Sequence, residues 1–224
     1  VQAITFPNHV LPLQYLPASP QALGKGYCPV METQVRTPQL VFMQPQRLVV
    51  PLFQRPYVWN EENQWEPLWN DVARVADRLL SRPADKHHPH FLGAVVLQQV
   101  QKQTGQMQER TIIDGQQRLT TLQLFLAALR DQSLKLGAAE EGQKLFSRLT
   151  SNPDCAPNSD EIFKVWPTNS DRDVFGNVMR AYSNEKVKST FSKVEGGLPR
   201  MAQAYLFFAD SIAAFVKSEA YIAS

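Results

Sequence analysis

No apolar run in this sequence approaches the roughly 20 residues that span a bilayer, and the best, residues 122–129, is interrupted by Gln123. A membrane-spanning helix is therefore not expected. Cysteine is scarce: Cys28 and Cys155 stand far apart, with no Cys-x-x-Cys pair. That excludes a disulfide framework and a thiolate zinc site, and it points to a reducing cytoplasm. Charge of one sign is also lacking. Lys and Arg number 23 against 21 Asp and Glu, a net charge of +2. Nucleic-acid binding through bulk charge is not expected, although a local basic groove fits this balance. The absence of an internal repeat of about 20–50 residues excludes solenoids and propellers. What remains has the composition of a globular domain, 43% hydrophobic and 20% charged over 224 residues. That length suffices for one sizeable domain or two small ones.

Residues 1–30 read differently from the rest. Pro7, Pro12, Pro17 and Pro20 break every candidate element, and neither a 2.0 nor a 3.6 period survives. The positive start and apolar core of a secretory signal are missing. The segment is expected to be a poorly structured leader or a non-native extension, with Met31 as the natural start. Residues 31–183 are expected to form the main domain. Residues 184–224 open a helical region, with Met201, Tyr205, Phe208, Ile212 and Phe215 at helical spacing, and read as the front of something longer.

Within the main domain, Thr37-Pro38 reads as an N-cap with proline at the first helical position, leading a short helix. Residues 48–53 read as a strand, demoted towards an edge by Pro51. Asn60 caps a helix to about residue 81, with Glu61 and Glu62 in its first turn and Trp65, Leu68, Trp69 and Val72 on one face. Residues 91–100 and 109–113 form a hairpin turned at Thr104-Gly105. Asp114-Gly115 then opens a long helix over 116–136 with Leu119, Leu122, Leu126 and Leu129 inward. Further helices are predicted over 140–149 and 171–181, and a strand over 162–166. Short strands interleaved with helices indicate an α+β domain with a small mixed sheet.

Two segments could carry chemistry. The first is Asp114-Gly115-Gln116-Gln117-Arg118 at a strand-to-helix junction. There, free backbone N–H groups and the helix dipole favour an anion. Gly115 permits close backbone approach, and Arg118 can fork onto a phosphate. The plainer reading makes Asp114 an N-cap and leaves Gln116, Gln117 and Arg118 solvated. An arginine in a first turn opposes the dipole, however, so an anion nearby would account for it. The second segment is Gln54-Arg55-Pro56-Tyr57-Val58-Trp59, a proline-stiffened loop mixing arginine with aromatics, suited to phosphates and stacked bases. Alternatively, Tyr57 and Trp59 staple the following helix to the core.

Other patterns carry less. Gly137-x-x-x-x-Gly142-Gln143-Lys144 has the outline of a P-loop, but Gln143 intrudes, Leu145 replaces the required Ser or Thr, and no strand precedes it. His87, His88 and His90 beside Asp85 match no fixed metal spacing, so no metal site is assigned.

Together, Pro51-x-x-Gln54-Arg55-x-Tyr57-x-Trp59, then Phe91-Leu92-Gly93, then Asp114-Gly115-Gln116-Gln117-Arg118-Leu119-Thr120-Thr121 resemble the GmrSD restriction-endonuclease N-terminal domain family. Lys164-Val165-Trp166-Pro167-Thr168 with Asp171-Arg172 resembles its later segment, and the likeness spans about residues 37–175. Phe53 stands where many members have tyrosine. The resemblance implies a fold related to ParB and sulfiredoxin nucleotide-binding domains, with a mainly helical continuation. It implies a cytoplasmic role in defence against modified phage DNA, with binding and hydrolysis of a nucleoside triphosphate aided by Mg²⁺. On that basis Asp114, Gln116 and Gln117 are the catalytic candidates. Gln54, Arg55, Tyr57, Gly115, Arg118 and Thr120 are the nucleotide-binding candidates, and Trp59, Lys164 and Arg172 are candidates for contacting DNA. Members usually carry an HNH-type nuclease domain. No stretch of this sequence resembles one, so cleavage by this chain is not expected. The alternative is a DNA-binding or scaffold module without turnover.

Overall fold

A computed structural model describes residues 2–5, 33–85, 89–156 and 158–222. Six strands build one mixed sheet: β1 (Gln2–Thr5), β2 (Gln34–Arg36), β3 (Gln46–Val49), β4 (Phe91–Val100), β5 (Gln108–Asp114) and β6 (Val165–Trp166). Their order is β2-β1-β4-β5-β3-β6. The β4/β5 hairpin is antiparallel, whereas β5/β3 and β3/β6 are parallel. The expected α+β class with a small mixed sheet and a helical continuation is what forms. Two local expectations are corrected. A strand occurs within the first thirty residues: Gln2–Thr5 pairs with both β2 and β4. And β3 is internal rather than an edge, because it ends at Val49, before Pro51, leaving the proline to turn the chain beyond the ladder.

The helices are α1 (Pro38–Phe42), α2 (Glu66–Ser81), α3 (Gln116–Lys135), α4 (Glu140–Thr150), α5 (Arg172–Met179), α6 (Asn184–Thr190) and α7 (Arg200–Ile222). Thr37 caps α1 through its side chain, accepting from the Leu40 N–H at 3.1 Å. Asn60 accepts from the Asn63 N–H at 3.0 Å and starts a π-helical turn, Glu61–Trp65, that runs into α2. Asn60 and Thr37 thus do what cap residues do: they satisfy an orphan donor of the first turn.

The long helix α3 is the axis of the molecule. Fifteen of its 20 residues are buried, many more than its leucine stripe requires, because other elements cover it on all sides. On one side it lies against the sheet core of Leu48, Val95 and Ile112; on another it meets α7, where Phe125 and Phe208 pack edge to face at 5.3 Å. Helix α7 is therefore the second wall of the α3 core. At that wall Arg130, Asp131 and Tyr205 form a buried network: Arg130 Nε donates to Asp131 Oδ1 and the Tyr205 hydroxyl to Asp131 Oδ2, both at 2.7 Å. No helix among the described residues is long and apolar enough to cross a membrane.

Candidate functional site

The site forms where β5 passes into α3. The β4/β5 ladder extends as far as the Val96–Asp114 pair, so the chain turns at Gly115, which sits at φ 94°. A side chain there would place Cβ 2.4 Å from Val95 Cγ1. Glycine is needed on both counts. Asp114 therefore does not cap the helix: the cap position belongs to Gly115, no side-chain cap bond forms, and Asp114 is the exposed last residue of β5. The first intrahelical bond runs from the Leu119 N–H to the Gly115 carbonyl at 3.0 Å. The N–H groups of Gln116, Gln117 and Arg118 precede it and have no protein acceptor among the described residues. With no acidic residue in the first turn, the positive end of a 20-residue helix is left open.

The loop after β3 is fixed against this junction by side-chain amides. Gln117 Oε1 accepts from the Val58 N–H at 2.9 Å while its Nε2 donates to the Pro56 carbonyl at 2.9 Å. Gln116 Nε2 donates to the Arg55 carbonyl at 3.1 Å and to Gln54 Oε1 at 3.2 Å, and Gln54 Nε2 donates to the Ile113 carbonyl at 3.1 Å. The two glutamines act first as a bracket that gives the loop's backbone the partners a ladder would otherwise supply. Tyr57 points away from the cleft. It is buried, its hydroxyl is 2.7 Å from Thr121 Oγ1, and it accepts from Trp65 Nε1 at 2.9 Å. Burial pushes the phenol up to about 12 despite those bonds. Its N–H donates to Asp171 Oδ2 at 2.8 Å, which ties the loop to the start of α5. Of the two readings offered for Tyr57, the structure adopts the staple.

Arg118 lies back over β4. Its Nη1 donates to the Ala94 carbonyl, and its guanidinium rests in the space that Gly93, at φ 107°, leaves empty: a Cβ there would come 2.6 Å from Arg118 Cζ. Sequence reasoning assigned Gly93 no role, although a glycine inside a strand pattern signals close approach by another group. One of the five guanidinium donors is thereby used, leaving four. The Arg55 side chain is exposed and has no hydrogen-bond or ion-pair partner among the described residues. Gln54, Arg55, Trp59, Asp114, Gly115, Gln116, Gln117 and Arg118 together line one cleft of about 200 Å³. The two segments, some 60 residues apart, meet there with two arginines against one aspartate.

The remaining candidates lie elsewhere. Thr120 is buried in α3. Arg172 starts α5, over Trp166. Lys164 is buried at 2% exposure and donates through Nζ to the Gln44 carbonyl at 3.0 Å, so it cannot reach DNA from this position. Burial brings its pKa down from 10.5 to about 8. An unfolded chain then holds this proton between about pH 8 and 10.5 where the folded one does not, so this group's contribution makes stability rise with pH across that window. Denaturant unfolding at pH 8 and pH 10 should show that rise in the wild type relative to Lys164→Met. Identical pH trends in the two proteins would refute it.

His87 and His88 lie outside the described residues. His90 Nε2 is 3.1 Å from Asp71 Oδ2, and no group of three His, Cys, Asp or Glu among the described residues could hold a metal. The P-loop lookalike falls at the α3–α4 join, with Lys144 paired to Glu140 on the same helix.

Fold and cleft define a class: an α+β domain that presents an open helix N-terminus and two arginines at the end of its sheet. The model of the GmrSD restriction endonuclease N-terminal domain matches residues 39–223, and the chain belongs to that family. It is thus a module of a restriction-type defence protein, in a family whose role concerns DNA. A search of the curated proteins finds no match.

Proposed function

We propose that this chain is the nucleotide-binding sensor module of a modification-dependent restriction protein, acting on modified phage DNA in the cytoplasm together with an HNH-type nuclease domain. The observation that carries the reading is the convergence of Arg55 and Arg118 on the open N-terminus of α3. Free N–H groups, a helix dipole and two guanidinium forks favour a polyphosphate. At about 200 Å³ the cleft is smaller than the roughly 300 Å³ at which drug-sized ligand pockets begin. The phosphates therefore lie inside and the base at the mouth, where Trp59 offers a ring. Asp114, the one carboxylate of the lining, suits Mg²⁺, an ion commonly held by one or two carboxylates plus the substrate's phosphates. When bound, that ion supplies neutralisation of phosphate charge. Asp114 is also the lining group free to orient water. The expected likeness to ParB and sulfiredoxin nucleotide-binding domains belongs to the same proposal.

A second reading, a DNA-binding or scaffold module without turnover, is favoured by one observation: the amides of Gln116 and Gln117 are engaged by the loop backbone. Phosphate release from each nucleoside triphosphate, with and without DNA, separates the two. Binding itself is tested by calorimetry. Arg118→Ala should weaken nucleoside-triphosphate affinity by about 1.5–3 kcal/mol, the scale of a charge-assisted hydrogen bond. Combined with Arg55→Ala it should show a coupling of at least about 0.5 kcal/mol. Unchanged affinity in Arg118→Ala would remove the phosphate site from this cleft.

A further inference from the structure

A second arginine cluster stands at the β6 edge of the sheet. The Arg47 guanidinium lies 4.6 Å from the centroid of the Trp166 ring and that of Arg172 lies 5.1 Å from it. Phe163 stacks on Trp166 at 5.6 Å, and Arg180 lies 4.5 Å from the Phe163 ring. The three arginines and Trp166, with Asp160 and Asp173, line a groove of about 520 Å³. Gly176 leaves room for Arg180, since a Cβ there would meet its Nη1 at 3.3 Å.

The arginines are held in place yet poorly neutralised. The aromatic rings hold the guanidiniums by cation–π contact, and Arg172 Nε donates to the Pro167 carbonyl at 3.2 Å, so less ordering remains to be done on binding. Among the described residues neither Arg47 nor Arg172 has a carboxylate within ion-pair distance. Arg180 has one, Asp160 at 3.9 Å, a long and exposed pair that contributes little. Arg47 Nε is itself buried without a hydrogen-bond partner, so no protein acceptor draws on the guanidinium at that atom. Burial pulls the Arg47 guanidinium below its ordinary value and Arg172 adds to that, while Glu109, Asp160 and Glu161 act in the opposite direction. The lining carries three positive and two negative side chains.

We propose that this groove binds a backbone phosphate of a nucleic acid, separately from the cleft at the head of α3. Guanidinium forks match phosphate oxygens. The aromatic faces are already engaged by the protein's own rings and arginines, which leaves nothing to stack a base. Contact to phosphate without contact to base is how proteins position themselves on a nucleic-acid backbone. Arg180, Asp160 and Asp173 are exposed, so the groove is open to a long polymer.

The test is fluorescence anisotropy of the full chain on a labelled DNA duplex over a salt series. Arg180→Gln alters an exposed side chain and should leave the melting temperature unchanged; Arg172→Gln is the second variant. Each should lower DNA affinity several-fold and reduce the slope of log K against log salt by about 1. Nucleoside-triphosphate affinity, read by calorimetry on the same proteins, should stay at the wild-type value. Wild-type affinity and slope in both variants would overturn the proposal, as would absence of duplex binding by the wild type at low salt. Either result leaves the reading of the other cleft intact, because that reading stands or falls with Arg118→Ala and nucleotide alone.

Discussion

Gly115→Ala is expected to destabilise the domain by about 3 kcal/mol, roughly 6–12 °C in melting temperature. Two causes add. At φ 94° an L-residue is strained, a cost of about 1–2 kcal/mol. The new Cβ would also stand 2.4 Å from Val95 Cγ1, and relieving such overpacking costs about 1–3 kcal/mol. Gly105 provides the control. It sits at φ 89° in the β4/β5 turn with nothing within 4 Å of an added Cβ, so alanine there carries the backbone strain alone. Thermal unfolding of both variants separates the two causes. Equal losses at the two positions would show that the contact with Val95 does not matter. Because Val95 lies on β4 beside the strand residues that receive Arg118, relief by backbone movement would also disturb the cleft.

The second large effect is at Asp131. Asp131→Ala should cost about 3–5 kcal/mol, since it strips a buried arginine of the one counter-charge it has among the described residues. Arg130 and Asp131 are 3% and 4% exposed. Without the carboxylate, Arg130 retains the Met179 carbonyl at 2.9 Å, Thr150 Oγ1 at 3.4 Å and the Tyr182 ring at 3.9 Å. None of these is an anion. Tyr205→Phe removes only the hydroxyl that donates to Asp131 and should cost less, about 1.5–3 kcal/mol for a bond to a charged group. Burial, then the Asp131 carboxylate, hold the Tyr205 phenol far above its usual range, so it remains a donor through neutral and mildly alkaline pH. Urea unfolding of the two variants gives the order; a Tyr205→Phe loss matching that of Asp131→Ala would mean the ion pair adds nothing.

Much of this was legible in the sequence where the cause is local. Asn60 and Thr37 announced their helices because a cap works within three residues. The β4/β5 hairpin and α3 followed from period and turn chemistry. The meeting of the Gln54-Arg55 and Gln116-Gln117-Arg118 segments was readable only in part: each follows a predicted strand, but that β3 and β5 are parallel neighbours ending at the same side is shown by the structure. What could not be read depends on partners across the chain. Gln116 and Gln117 look solvated until the carbonyls of Arg55 and Pro56 are placed beside them. Lys164 looks like a surface charge until β6, two residues long and buried on both faces, carries it inside to the Gln44 carbonyl. Periodicity likewise showed only one face of α3, since the wall supplied by α7 comes from residues 65 positions and more further on. The strand at Gln2–Thr5 has too few residues for any period to register.

The amide bracket has a consequence for how this surface can change. Gln116 and Gln117 hold the loop through carbonyls and N–H groups that every residue possesses, apart from the missing N–H of proline. The loop's backbone path is therefore set without reference to the side chains at positions 55 and 58, with Pro56 stiffening it between them. Those two side chains are free to be exchanged for others as the ligand at the cleft differs, while Tyr57, pinned beneath by Thr121 and Trp65, keeps the frame where it is. Recognition can drift at this site without the scaffold drifting with it.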